Sequence, residues 1–135
     1  DGTIDAISTD HAPHLLSEKM NSFDDAVYGS VGLETSLALS YTHLVQAGHL
    51  TLSELVEKMS VNPARILGID RGDLSIGSIA DITLFDAKSS WTIDSKNFES
   101  KGRNCVFEGM TVIGKATDVL VAGILKKQKG KVLSS

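Results

Sequence analysis

The residues of this chain best equipped for chemistry crowd into one short segment, Ser8-Thr9-Asp10-His11-Ala12-Pro13-His14. A carboxylate and two imidazoles within five positions are groups that bind a metal, move a proton or hold an anion. Pro13 fixes its own φ and biases Ala12 away from helix, which stiffens the loop. The other histidines, His43 and His49, read as surface or helix-end residues, and no His-x-His pair or second ligand cluster accompanies Asp10. A zinc site takes three or four protein ligands, so Asp10 reads as one wall of an active site whose other walls lie elsewhere. By residue type alone, Asp10 equally suits a turn or helix cap, and His14 a solvated loop position.

The elements that must position this loop follow from periodicity. Ile4 to Thr9 reads as a short strand of a buried parallel sheet, with Ile4, Ala6, Ser8 and Asp10 on one side. Small Ala6 and Ser8 suit the crowded inside of a closed barrel, with Asp10 at its C-terminal mouth. Asp1-Gly2-Thr3 runs straight into that strand, so the chain is expected to begin in the middle of a domain. Residues 15–30 form a polar loop without periodicity. After Gly32 the spacing of Leu37, Ala38, Tyr41, Leu44 and Val45 predicts a helix stopped by Gly48. Glu34, in the first turn, complements the helix dipole. Thr51-Leu52-Ser53-Glu54 is a capping box, with Leu50 and Leu55 as its hydrophobic staple. A third helix is expected from Asn62 as N-cap, with Pro63 at its first position, to Gly68.

Beyond Gly72 the character changes to β. Ile82–Phe85, Trp91–Ile93, Met110–Ile113 and Val119–Val121 are strand-like runs, and Val121-Ala122-Gly123-Ile124 predicts a hairpin. Asp81 is expected to fix a turn ahead of the first run. The chain thus divides into a strand-and-helices portion, 1–70, and an antiparallel portion, 71–135.

Composition narrows the partners. With 41% hydrophobic and 22% charged residues, the chain is of globular type. A net charge of −4 offers nothing for nucleic acid. Lys126, Lys127, Lys129 and Lys131 read as the solvated end of a strand. Cys105 stands alone, which excludes an intrachain disulfide and suits a cytoplasmic protein. No run of residues has the apolar length of a membrane span.

Several motifs, taken in order, resemble one family. Thr9-Asp10-His11-Ala12-Pro13-His14 followed by Val31-Gly32-Leu33-Glu34-Thr35 is similar to the last barrel segment of the bacterial dihydroorotases, in the amidohydrolase superfamily. Asn62-Pro63-Ala64, Gly77-Ser78-Ile79-Ala80-Asp81-Ile82 and Ser100-Lys101-Gly102-Arg103-Asn104 continue the match over nearly the whole chain. The chain departs from the family twice. Ala26-Val27-Tyr28-Gly29 stands where Ala-Pro-Phe-Gly is usual, and Asn104-Cys105-Val106-Phe107 where Asn-Thr-Pro-Phe is usual. Each exchange removes a proline and puts loop rigidity in question.

The resemblance implies an α/β fold: the last strand and helices of a metal-dependent (β/α)8 TIM barrel, then part of a small β-sandwich domain. It implies zinc-dependent, reversible cyclisation of N-carbamoyl-L-aspartate to L-dihydroorotate, with one or two Zn2+ ions per site. Asp10 would ligate metal and shuttle the proton. His14 would bind the substrate carboxylate, and Tyr28 and Gly29 would meet the ring through main-chain groups. Apart from the family, Gly29 is equally a plain turn before a helix. His11 is either a partner that orients Asp10 or a packed loop residue. The family's His-x-His motif, carboxylated lysine and two further metal histidines have no counterpart here, so the chain by itself is expected to be inactive. The partners implied are the small-molecule substrate, the N-terminal remainder of the same protein, a second copy, and aspartate transcarbamoylase. Competing readings are another cyclic amidohydrolase (hydantoinase, dihydropyrimidinase or allantoinase) and a non-catalytic scaffold for aspartate transcarbamoylase.

Overall fold

The computed structural model describes residues 2–133. The helical portion comes first. A short helix α1 (Leu16–Lys19) interrupts the expected polar loop. Helix α2 (Ser36–Ser40) runs directly into a π-type turn, Tyr41–Val45, and Gly48 follows at φ 77, as the spacing predicts.

The capping box is present at α3 (Leu52–Val56). Glu54 N donates to Thr51 Oγ1 at 3.2 Å, and Thr51 N donates to Glu54 Oε2 at 2.7 Å. The expected break at Asn62 is absent. A π-type turn, Glu57–Val61, joins α3 to α4 (Asn62–Leu67) without leaving helical backbone. Asn62 is helical and caps nothing; its Nδ2 donates instead to Asp5 O at 2.9 Å. The widened turn falls where the Pro63 ring would otherwise press on the preceding turn. The predicted stop does hold, with Gly68 left-handed at φ 65.

Ile4 to Thr9 forms no strand among the described residues. A parallel strand exists only through a hydrogen-bonded neighbour, and no described segment supplies one. The segment is tethered to the helical run instead. Ile7 N donates to Lys58 O at 2.9 Å, and Lys58 Nζ reaches Ile4 O.

The β portion is a four-stranded antiparallel meander: β1 (Ile82–Thr92), β2 (Thr111–Val121), β3 (Ile124–Gln128) and β4 (Lys131–Val132). The short sequence runs merge into two long strands, with register shifts at Leu84/Phe85 and between Asp86 and Ser90. Residues 87–89 lie between those paired positions, opposite Gly114. The β2–β3 hairpin turns where expected, with Ala122 at φ 48 and Gly123 at φ 78, the two positive φ values of a type I′ turn. Asp81 does more than shape a local turn. It accepts from Ala122 N at 2.7 Å and pairs with Arg71 Nε at 2.8 Å, so it ties the hairpin tip to the chain ahead of β1.

Helices and sheet share one core, drawn from Val31, Ala38, Ile93, Phe98 and Val112, with Leu39, Trp91, Cys105 and Phe107 against it. Thr42 Oγ1 accepts from Ile113 N at 2.8 Å, and Tyr41 meets Phe85 edge-on at 5.0 Å. Large apolar side chains remain outside this core, including Phe23 (93% exposed), Leu74 (78%) and Ile76 (fully exposed). Among the described residues no helix is long and apolar enough to cross a membrane.

Candidate active site

The Asp10–His14 loop lies beside residues 29–31. His11 and Ser30 form a parallel bridge, and Ala12 N donates to Ser30 O at 2.9 Å. Asp10 is exposed, and its carboxylate has no hydrogen bond among the described residues. Its φ of 43 is left-handed, a conformation aspartate tolerates better than most residues but still at a cost. An unengaged carboxylate on strained backbone is available to a metal or to a proton. Among the described residues no group of three His, Cys, Asp or Glu side chains converges. Asp10 by itself could offer a metal one oxygen donor, and no described side chain joins it in such a set.

His14 is half-buried, with its Nδ1 3.9 Å from Glu18 Oε2. Its imidazole lies against Gly29, where an added Cβ would stand 3.2 Å from His14 Nε2 and 2.5 Å from Ala12 Cβ. Gly29 also sits at φ 113, so both its conformation and the close approach require glycine. The structure thus brings together two of the residues singled out from sequence. Tyr28 is 88% exposed, so its ring packs little against the protein.

His11 does not hydrogen-bond Asp10. Its Nδ1 accepts from Gly32 N at 3.1 Å and Leu33 N at 3.3 Å, which places the ring proton on Nε2. Its role in the structure is to fasten the loop to the start of the Val31–Thr35 segment. Glu34 likewise departs from expectation. It precedes α2, and its two carboxylate oxygens accept from Glu99 N at 2.9 Å and Ser100 N at 3.0 Å. Short-range reading credits such a glutamate to the helix dipole because the loop it grips is 65 residues away.

Three residues that sequence reasoning left without a role hold the site together. Asn104 Oδ1 accepts from His14 N at 3.1 Å, while its Nδ2 donates to Ala12 O at 2.9 Å and Gly29 O at 3.2 Å. Lys19 Nζ donates to Val27 O at 2.8 Å and Gly29 O at 3.1 Å. Gly102 lies buried under Pro13, where a Cβ would come within 2.7 Å of the proline's own. Hydrogen bonds also stand in for the two missing prolines. Lys19 spans the Val27 position, and Val106 N, a donor proline lacks, bonds Ser30 Oγ at 3.2 Å. A cleft of about 600 Å3 opens elsewhere, between α2 and the sheet near Trp91 and Lys115; Glu34 and Glu99 line it, and Asp10, His14, Gly29 and Asn104 do not.

The Asp10–His14 loop thus carries a carboxylate without a hydrogen bond among the described residues and is clamped into an α/β framework. Residues 1–132 match the amidohydrolase family, and the chain belongs to it. The kinship is more particular than that. The chain is 56% identical over 123 residues to the dihydroorotase of Geobacter metallireducens, covering 91% of this chain and 29% of that protein. It is 53% identical over 129 residues to the dihydroorotase of Syntrophus aciditrophicus, covering 96% and 30%. Among solved structures it superposes on the L-hydantoinase (dihydropyrimidinase) of Arthrobacter aurescens with a TM-score of 0.91 and 36% identity, covering 98% of this chain and 31% of that one. The D-hydantoinase of a Thermus species gives a TM-score of 0.90 at 27% identity, covering 99% and 30%. The chain spans about 30% of the length of the curated relatives it matches.

Proposed function

We propose that the chain forms the Asp10–His14 wall of a dihydroorotase, which interconverts N-carbamoyl-L-aspartate and L-dihydroorotate. The observation that carries this reading is the level of identity: 56% to a dihydroorotase against 36% to an L-hydantoinase of nearly the same backbone. Residues 1–70 are assigned to the end of a metal-dependent (β/α)8 barrel and residues 71–135 to a small β-domain. The rest of the site, and the cover for the exposed apolar side chains, would come from the remainder of the same protein.

Asp10 would contribute one zinc ligand, the other ligands lying outside this chain. When bound, zinc makes hydroxide available at neutral pH. Asp10, on the exposed end of a stiffened loop, would take a proton as the ring amide is attacked and return it to the departing nitrogen. In the cyclising direction the same carboxylate handles the proton in reverse. His14 Nε2, facing Gly29, would donate to the substrate's free carboxylate. The carbonyl of Gly29 is already engaged by Lys19 and Asn104, which leaves the Gly29 N–H and the Tyr28 main chain to meet the ring.

The experiment is a substrate comparison in the full-length protein: dihydroorotate, hydantoin and dihydrouracil, each with the parent and with Asp10→Ala. Dihydroorotate should be turned over with a kcat/KM at least about tenfold above the other two. Asp10→Ala should lose about a thousandfold or more in kcat, because ligand and proton carrier leave together. Preferred turnover of hydantoin or dihydrouracil, or an Asp10→Ala enzyme within tenfold of the parent, would overturn the assignment.

A further inference from the structure

We infer that Asn104 is a positioning residue for substrate binding: its side-chain amide sets the spacing between His14 and Gly29, with Lys19 as a second clamp on Gly29. The role rests on the reading of His14 and Gly29 as substrate-binding groups.

Three main-chain groups meet one side chain. Two are carbonyls, Ala12 O and Gly29 O, and the third is the amide N–H of His14. Only a primary amide offers two donors and an acceptor in so small a volume, and the chemistry of the partners fixes which end is which. Aspartate in its place would aim a carboxylate oxygen at two carbonyls, and leucine would leave Ala12 O and the His14 N–H unsatisfied and Gly29 O with Lys19 alone.

The bonds join residues 75 to 92 positions away to Asn104, so the amide ties a third segment to the Asp10–His14 loop and the Gly29–Ser30 stretch, which already pair through Ala12 N and Ser30 O. Asn104 is itself anchored. Its carbonyl accepts from Val31 N at 3.1 Å and from Ser30 Oγ at 3.0 Å, and Val31 is in the core. The clamp therefore refers the loop to the rigid part of the molecule. On the far side, Lys19 donates to the same Gly29 carbonyl and to Val27. With both clamps in place, the Gly29 backbone is held against the His14 imidazole.

A residue acting this way governs binding geometry more than the reacting bonds. Displacements of about 1 Å in positioning groups cost up to about a hundredfold. The test is Asn104→Asp and Lys19→Met in the full-length protein, with His14→Ala as reference. The readouts are KM and kcat for dihydroorotate, bound zinc and the thermal midpoint. Asn104→Asp should raise KM about tenfold or more with kcat within about threefold, and zinc content unchanged. Lys19→Met should shift KM the same way by a smaller factor, and it keeps the proposal testable should Asn104→Asp fail to fold.

Unchanged KM in either folded variant, while His14→Ala raises it tenfold or more, would overturn the positioning role and leave the reading of His14 intact. Parallel loss of kcat, zinc and thermal midpoint in Asn104→Asp, with no KM change in Lys19→Met, would reduce Asn104 to a folding residue. A His14→Ala enzyme with unaltered KM would instead sink the underlying assignment of His14.

Discussion

The packing of Gly102 under Pro13 allows a prediction to be worked from distances. Replacing Gly102 by alanine puts a Cβ 2.7 Å from Pro13 Cβ and 3.0 Å from both Pro13 Cα and Val31 Cγ1. Carbon atoms rest at about 3.5–4.0 Å, so relief needs a movement of about 1 Å. Val31 is 2% exposed and has no room, which leaves Pro13 to move. Its neighbours Ala12 and His14 are held by Asn104 at 2.9 and 3.1 Å, and a 1 Å displacement breaks both bonds. Two lost hydrogen bonds at about 1 kcal/mol each come to about 2 kcal/mol. That lies within the range of about 1–3 kcal/mol for an overpacked core. A local loss of that size corresponds to about 30-fold in the opening equilibrium. The assay is hydrogen exchange at the His14 amide, whose proton lies on Asn104 Oδ1. Gly102→Ala should exchange there about 30-fold faster than the parent. Gly109→Ala is the control, because Gly109 has positive φ but open space around it; it should leave His14 protection unchanged. His14 protection within about twofold of the parent in Gly102→Ala would refute the reasoning.

Two further predictions follow from local chemistry. Thr51→Ala should cost about 1 kcal/mol in urea denaturation, the usual value of a lost threonine N-cap. The backbone N–H and hydroxyl of Thr51 hold the Glu54 carboxyl below the ordinary glutamate range. Its folded pKa is thus below the unfolded one, so the stabilisation is complete above the unfolded value and lost as pH falls through the folded one. Thr51→Ala keeps the backbone N–H and removes the hydroxyl, so the acid dependence of stability should flatten only in part, and an unchanged slope would count against the hydroxyl's share. Burial pushes the Cys105 thiol up, with the Glu108 charge adding to it and a backbone bond from Phe107 opposing it. Alkylation by iodoacetamide near neutral pH should be about tenfold slower than for free glutathione and should recover in urea; equal rates before unfolding would contradict the burial.

Much of this molecule is legible in its residues because the signals are local. The Thr51–Glu54 box, the Gly48 and Gly68 stops and the Ala122-Gly123 hairpin each depend on neighbours within a few positions, and each is present. The Asp10–His14 loop and its Pro13 stiffener are likewise recognisable from residue types alone. The sequence misleads where a local rule competes with a distant partner. Asn62 and Pro63 carry the signature of a helix start, yet the helix runs through them because a widened turn takes up the proline and Asp5 O takes the asparagine side chain. Glu34 has the position of a dipole partner and is instead gripped by the Glu99–Ser100 amides. Ile4 to Thr9 has the alternation of a strand, but pairing belongs to two segments, and periodicity describes only one.

What tertiary structure alone decided is how the site is held. That Asn104 spans Ala12, His14 and Gly29, and that Gly102 supports Pro13, has no trace in spacing or composition. The reason is physical. A cap or a turn is enforced by the short stretch of backbone that contains it, so its residue types are constrained together. A hydrogen bond across 90 residues is possible only after the core of Val31, Ile93 and Val112 has brought its two ends within 3.1 Å.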